Sequence, residues 1–302
     1  MTVKVASSDI SELRERTGAG LSDCKKALME ADNDLNKAAE ILRQKGLAAS
    51  AKKAGKVAAE GAVIAAISSD AKQGVLIELN SQTDFVARNE KFQSLLKEIV
   101  DLSLAGSFHS LDQLQNAKIS TGDTVLNLIS LKSAEIGEKL DLRRFVKFEA
   151  GANESLASYT HPIGSRIAVL VKLQSNPPKE AVGKDIAMHI AASQPAPEFL
   201  NRDAIPAEIF ENEKRIELGK EDLKNKPPEI AEKIVTGRVE KVLLERVLLE
   251  QAFVKNPGQK IKDYLKDHGA AVIDFLRFNL GEGIERNTAS FADEVAAQMK
   301  GS

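Results

Sequence analysis

One hydrophobic pattern occurs twice along this chain, and it constrains the fold more than any other feature. Two β-rich runs joined by a turn precede a run with helical spacing, and a further run with a period of two closes the unit. The first copy comprises residues 57–67, 75–80, 92–102 and 140–148, and the second comprises residues 156–160, 166–173, 179–193 and 272–278. The repeat predicts two related α+β subdomains, each built on an antiparallel sheet.

The first 55 residues carry a helical pattern instead. Asp9 with Glu12 fits a capping motif, while Gly18 and Gly46 stand where helices commonly end. The Ala- and Lys-rich segment 48–56 lacks large apolar residues, so we expect a linker or a solvated extension of the last helix. The predicted helices are 9–16, 22–31 and 34–44, which form a three-helix module and linker over residues 1–55 ahead of the first core subdomain, 56–150.

A helical insertion interrupts the second copy of the repeat. Pro206 can open one helix, and Pro227 with Pro228 forbids its continuation before a second helix begins near Glu229. In the first helix Ile209, Ile216 and Leu223 recur every seven residues. Two paired helices expose part of their apolar seam, so the arm is either structural or a dimerisation or docking element, and we favour the second. The predicted divisions are an arm over 195–245, a second core subdomain over 151–194 and 246–285, and a C-terminal segment over 286–302.

Composition narrows the class of function. The chain has 302 residues, with 42 basic and 44 acidic side chains and a net charge of -2, so nucleic acid is an unlikely partner. Its single cysteine, Cys24, allows no internal disulfide, and the N-terminus carries no secretory signal pattern. No apolar run approaches the roughly 20 residues that span a bilayer. We expect a cytoplasmic protein with no membrane partner.

The sequence also lacks the motifs of a chemical site. Residues 17–20 do not continue into a phosphate-binding loop, and the Gly281 to Gly283 turn lacks a third glycine and a following helix. Cys24 has no evident histidine or acid partner. The histidines have no metal-ligand spacing; they are His109, His161, His189 and His268. We therefore expect no enzyme, no cofactor, no metal site and no direct nucleotide binding.

The most unusual stretch is residues 80–90, which joins a buried strand to an amphipathic helix. It places Phe85 beside Asp84 at the connection. In one interpretation Thr83 or Asp84 caps the helix while Phe85 packs beneath it. In the other, a rigid sheet presents the acid and the aromatic ring as an interface hot spot. The pattern alone leaves the two interpretations equal.

At this stretch the sequence resembles the elongation factor Ts family. Matching motifs run along nearly the whole chain: 13–20 (LRERTGAG), 23–28 (DCKKAL), 80–86 (NSQTDFV), 189–193 (HIAAS) and 275–285 (FLRFNLGEGIE). The resemblance implies a ubiquitin-associated-like N-terminal module, two repeated subdomains, a protruding coiled coil, and a bacterial guanine-nucleotide exchange factor for elongation factor Tu.

The resemblance also implies roles for particular residues. Thr83, Asp84, Phe85 and Val86 would disturb the Mg²⁺ site of elongation factor Tu, with Phe85 wedged between helices of its GTP-binding domain. Further implied contacts with elongation factor Tu are Arg14, Gly281 and Gly283.

Three other functions remain as alternatives. A generic adaptor would use the N-terminal module and the arm to bind other proteins. A hydrolase would use Cys24 or a histidine, although spacing offers no nucleophile, base and orienting group. Binding of RNA through Lys52, Lys53 and Lys56 would show steep salt dependence.

Overall fold

A computed structural model describes residues 5–223 and 227–285. Helices are combined with antiparallel sheets, so the α+β class predicted from the sequence is confirmed. The predicted C-terminal segment, 286–302, lies outside the described residues, and the predicted domain boundaries stay predictions. None of the described helices is both long and apolar enough to cross a membrane.

The three helices predicted at the N-terminus are confirmed. Leu13, Leu28 and Leu42 pack around the buried Cys24 and form a small core of their own. The third helix runs through most of the Lys-rich segment, so that segment is a helix extension rather than a linker. The helices are α1 (Ser7–Thr17), α2 (Leu21–Glu30) and α3 (Leu35–Lys53).

The first repeat forms a three-stranded antiparallel sheet in the order β1-β2-β3. Phe92, Leu95 and Ile99 recur on one face of the helix that follows the hairpin and are buried against the sheet. The elements are β1 (Glu60–Ile67), β2 (Gln73–Ser81), α4 (Asp84–Ala87), α5 (Glu90–Ala105), α6 (Leu111–Asn116), α7 (Val125–Ile136) and β3 (Asp141–Glu149).

The second repeat has the same strand order, β4-β5-β8, with the arm and a small two-stranded sheet inserted before the last strand. The elements are β4 (Glu154–Thr160), β5 (Ile167–Ser175), α8 (Glu180–Ala192), α9 (Ala207–Leu218), α10 (Pro228–Leu244), β6 (Ala252–Phe253), β7 (Asn256–Lys260), α11 (Ile261–Asp267) and β8 (Ala270–Asn279).

The two three-stranded sheets pack against each other. Leu76 of the first sheet meets Leu170 and Phe278 of the second in one buried cluster. The main-chain N–H of Val63 donates to the carbonyl of Ser165, 2.8 Å away, which joins β1 to the β4–β5 turn. The two repeats therefore share one buried apolar interface.

Three local predictions are wrong. Helix α1 begins at Ser7 after Ala6, so Asp9 lies inside the helix and does not cap it. Gly46 does not end a helix but lies inside α3. A glycine suits this position because α3 packs closely on α7, and a Cβ atom at Gly46 would lie 3.2 Å from Leu131 Cδ2. The repeat was given no element between residues 102 and 140, but this stretch contains α6 and α7.

The arm consists of two paired helices. Its core is formed on α10 by Val235, Val239 and Leu243, which recur every four residues. Ile209 packs against this core, whereas Ile216 is exposed and Leu223 lies in a short 3-10 turn after α9 has ended. The seven-residue seam predicted for α9 is therefore wrong at Ile216.

Candidate functional site

The connection between β2 and α5 contains the short helix α4, which carries Asp84, Phe85 and Val86, and Thr83 lies directly before it. Asn80 and Ser81 at the end of β2 are buried. The Ser81 hydroxyl donates to the carbonyl of Thr83, 2.8 Å away. This contact turns the chain directly from the rigid strand into the helix.

Thr83 is held by a carboxylate from another part of the fold. Glu138, which lies just before β3, accepts the Thr83 N–H on Oε2 at 3.0 Å and the Thr83 hydroxyl on Oε1 at 2.7 Å. Thr83 precedes α4 but makes no side-chain capping hydrogen bond to it. Thr83 therefore fastens the connection to the turn between α7 and β3.

Phe85 and Val86 point to opposite environments. Val86 is buried among the apolar residues of the first core. Phe85 is 80% exposed, the highest value among the large apolar side chains of the described residues. The interpretation in which Phe85 packs beneath the helix is therefore wrong, because Val86 occupies that place.

Asp84 adds a charge beside the ring. Its carboxylate accepts from Arg88 Nη2 at 3.3 Å, one helical turn later, and both side chains are substantially exposed. Exposed pairs of this kind contribute little to stability. The Asp84 carboxylate is thus accessible to a partner at little cost to the fold.

The N-terminal helices meet the site at the end of α7. Glu135 on α7 pairs with Lys91 at the start of α5, and its carboxylate packs against Gly18, the residue that ends α1. Arg14 is exposed on α1, one turn before Gly18. The structure therefore places Arg14 and the Thr83 connection around one end of α7, without a direct contact between them.

Gly281 and Gly283 lie in the turn after β8. The Gly281 N–H donates to Glu78 Oε1 at 2.8 Å, and the buried Glu78 carboxylate also accepts from Arg143 at 3.0 Å. Asn80 donates to the same carboxylate at 3.0 Å. Glu78 therefore connects the Gly281 turn to the strand that leads into α4.

Glu78 and Glu138 carry no pattern in the sequence that marks them as site residues. Glu78 reads as the polar member of an alternating strand, yet it is fully buried between the two sheets. Glu138 follows Gly137, whose left-handed conformation ends α7, but the sequence gives no sign that its carboxylate reaches Thr83. The roles of Glu78 and Glu138 can be recognised only from their contacts with residues that are distant in sequence.

Within residues 5–223 and 227–285 no group of three or more histidine, cysteine, aspartate or glutamate side chains is arranged to hold a metal ion. The distinctive site is a fixed connection that displays an aromatic ring and a carboxylate. Fold and site together define an α+β protein that is built on two packed three-stranded sheets and displays an exposed aromatic ring and carboxylate.

Comparison with known proteins identifies the family. The model of the family "Elongation factor TS" matches residues 82–282. Elongation factor Ts of Halorhodospira halophila (strain DSM 244 / SL1) is 43% identical over 300 residues, which cover 99% of this chain and 100% of that protein. Elongation factor Ts of Alkalilimnicola ehrlichii (strain ATCC BAA-1101 / DSM 17681 / MLHE-1) is 42% identical over 298 residues, 99% of each chain. The chain belongs to the elongation factor Ts family, whose role is in translation elongation.

Proposed function

We propose that this protein is a guanine-nucleotide exchange factor that binds the GDP complex of elongation factor Tu. It disrupts the Mg²⁺ and nucleotide site of that partner and so promotes GDP release and GTP reloading. The protein itself catalyses no chemical reaction, needs no cofactor and binds no nucleotide. It acts in the cytoplasm, where translation elongation takes place, without a membrane or nucleic-acid partner.

The observation that supports the proposal most strongly is the display of Phe85. Exposure of 80% of a large apolar ring to water costs free energy. The main chain that carries the ring is nevertheless held in place, by the hydrogen bonds of Thr83 on one side and the burial of Val86 on the other. Fixed aromatic anchors lose little conformational entropy when they bind. Phe85 is therefore suited to insert between helices of a partner, with Asp84 acting on the polar groups around the metal.

Thermodynamic linkage explains how insertion releases GDP. A factor that prefers the nucleotide-free partner must weaken GDP binding by the same coupling free energy with which GDP weakens the factor. A strong hot-spot residue contributes about 2 to 4 kcal/mol, and about 1.4 kcal/mol corresponds to a tenfold change in affinity. Phe85 can thus contribute about 30-fold to 1,000-fold to the coupling, and further contacts supply the rest.

Those further contacts are assigned to Arg14 and to the turn at Gly281 and Gly283. Arg14 is exposed on α1 and Gly283 is exposed in its turn, so both are accessible to a partner. The Gly281 turn is bonded through Glu78 to the end of β2, which leads to Thr83. The end of α1, which carries Arg14, lies against Glu135 of α7. A partner that binds Phe85 would then make additional contacts with Arg14 and Gly283.

For the arm we propose contact with a second copy of this chain. Ile216 and Leu218 on α9 and Ile230 on α10 are exposed near the far end of the helix pair. Apolar side chains concentrated there favour burial in an interface. The arm is the element of this fold best placed to form a homodimer.

The proposed exchange function is tested by loading elongation factor Tu with a fluorescent GDP analogue and chasing it with excess unlabelled GDP. This protein, added at one-twentieth of the partner concentration, should accelerate release of the analogue from the whole partner population. Release at the unassisted rate from an active partner would contradict the proposal and leave a protein-binding adaptor.

A further inference from the structure

We propose that Glu138 is the positioning residue for the exposed ring of Phe85, which it orients by holding Thr83. The inference rests on the proposed function, because it assigns a further residue to the same site. Glu138 lies in the turn between α7 and β3 and is separated from Thr83 by 55 residues.

The first support is the geometry of the contact. One carboxylate receives both polar groups of Thr83, its N–H at 3.0 Å and its hydroxyl at 2.7 Å. Two hydrogen bonds to an ionised group fix orientation as well as distance and are stronger than bonds between neutral groups. Helix α4 has four residues, too few to hold its own conformation in water. Its direction must therefore come from outside contacts such as this one.

The second support is that Glu138 is itself held in place. The buried Ser133 hydroxyl donates to the Glu138 carbonyl, and the Gly137 N–H donates to the Ser133 carbonyl at 3.0 Å. The neighbouring Lys139 donates to the carbonyls of Ala54 and Lys56 at 2.8 and 3.1 Å, just after α3. The turn that carries Glu138 is thus fastened both to α7 and to the chain leaving the N-terminal helices.

The third support comes from the other end of α4, which is fixed independently. The Asn89 N–H donates to the Val86 carbonyl at 2.9 Å, and the Gln93 side chain donates to the Ala87 carbonyl at 2.6 Å. Loss of Glu138 would release only the end of α4 nearest Phe85. We therefore expect a mobile ring on an otherwise folded protein.

The kinetic test uses Glu138→Ala, with Asp101→Ala as a control that removes an exposed acid paired with Lys97 on α5. GDP release from elongation factor Tu is measured at increasing concentrations of each. Glu138→Ala should lower the maximal rate about tenfold, as expected for loss of charge-assisted hydrogen bonds, and should change the half-saturating concentration less than about threefold. Asp101→Ala should behave like the wild type. An unchanged maximal rate for Glu138→Ala would overturn the inference.

A double variant separates positioning from a direct contact with the partner. If Glu138 acts through Phe85, then Phe85→Ala with Glu138→Ala should exchange within about twofold of Phe85→Ala alone, because coupled residues are not additive. A further tenfold loss in the double variant would mean that Glu138 acts separately, and the inference would fail.

A spectroscopic test does not depend on exchange. The chain has no tryptophan, so Phe85→Trp introduces a single probe at the site. The decay of its fluorescence anisotropy contains overall tumbling and local motion of the exposed ring. The amplitude of the fast local component should increase on Glu138→Ala and not on Asp101→Ala. Identical decays in all three proteins would refute positioning. Because this result stands even when wild-type protein fails to release GDP, failure of the inference and failure of the proposed function can be distinguished.

Discussion

Phe85 and Val86 are adjacent on one short helix but have different roles. Val86 supplies the apolar contact that seats α4 on the first core, and Phe85 contributes almost nothing to that core. The sequence placed both in one motif, yet only the structure shows which of them is buried. Four residues carry too little periodicity to reveal a buried face.

The first prediction follows from this division. Phe85→Ala should change the free energy of unfolding by no more than about 0.5 kcal/mol, as for other exposed positions. Val86→Ala should lower it by about 1 to 3 kcal/mol, because buried methyl groups are lost and a cavity remains. Urea unfolding of both variants checks the pair, and equal losses would contradict the assigned burial.

Gly281 provides the second prediction. Its φ angle is +70°, and a Cβ atom there would lie 2.5 Å from the carbonyl oxygen of Ala59. Gly269 is a matched control, since its φ is +57° but a Cβ atom would meet nothing within 4 Å. Alanine should cost about 1 kcal/mol at Gly269 and at least about 2 kcal/mol at Gly281. Thermal unfolding distinguishes them, and equal costs would mean that the close approach to Ala59 has no effect.

At the scale of elements, the sequence predicted most regular structure whose apolar residues fall on one face. Helix α5 and the strands of both hairpins belong to this group. Helix α7 was missed because it packs on two sides: Ile129 faces the first core, while Leu131 lies against Gly46 of α3. Strands β6 and β7, of two and five residues, were missed because such lengths give no clear alternation.

His189 carries the third prediction, for the base of the arm. It is buried on α8, with Nε2 lying 3.0 Å from Gln251 Oε1 and Nδ1 accepting the Val254 N–H at 3.3 Å. Gln251 donates in turn to the carbonyls of Pro195 and Glu245, at 3.0 and 2.7 Å, where the chain enters and leaves the arm. His189 thus helps close this base while it is neutral.

Burial lowers the pKa of His189 below its usual value of 6.5, opposed in part by the hydrogen bond to Gln251. The unfolded chain therefore binds more protons than the folded one just below pH 6.5, and this contribution makes the protein less stable as pH falls through that window. With four histidines in the chain, nuclear magnetic resonance can follow each imidazole separately. The His189 resonance should titrate below pH 6.5; titration at or above that value would contradict the prediction.

At the scale of the whole molecule, the repeat was predictable and the joint between its copies was not. The two sheets meet through Leu76, Leu170 and Phe278, and the buried Glu78 ties the end of the second to the first. Strand periodicity shows that a face is buried but not what covers it. The hydrogen bond that connects Gly281 to Glu78, on the strand leading to Phe85, can therefore be seen only in the folded structure.

The arm gives the fourth prediction. The protein should show a concentration-dependent shift from monomer to dimer in sedimentation velocity, and Ile216→Glu with Ile230→Glu should abolish it by placing charges in the interface. Glu232→Gln, which alters only an exposed ion pair with Lys214 on the same helices, is the control. A monomer at all concentrations, or a dimer that persists in the double variant, would refute dimerisation through these residues.

The most direct test of the account is GDP release from elongation factor Tu at saturating concentrations of wild-type protein, Phe85→Ala and Leu126→Ala. Leu126 is a matched control because it is another exposed apolar residue, at the start of α7. Phe85→Ala should slow release about 30-fold to 1,000-fold, the range of a strong hot spot, while Leu126→Ala should match the wild type. Release by Phe85→Ala at the wild-type rate would contradict the central claim that the exposed ring of Phe85 drives exchange.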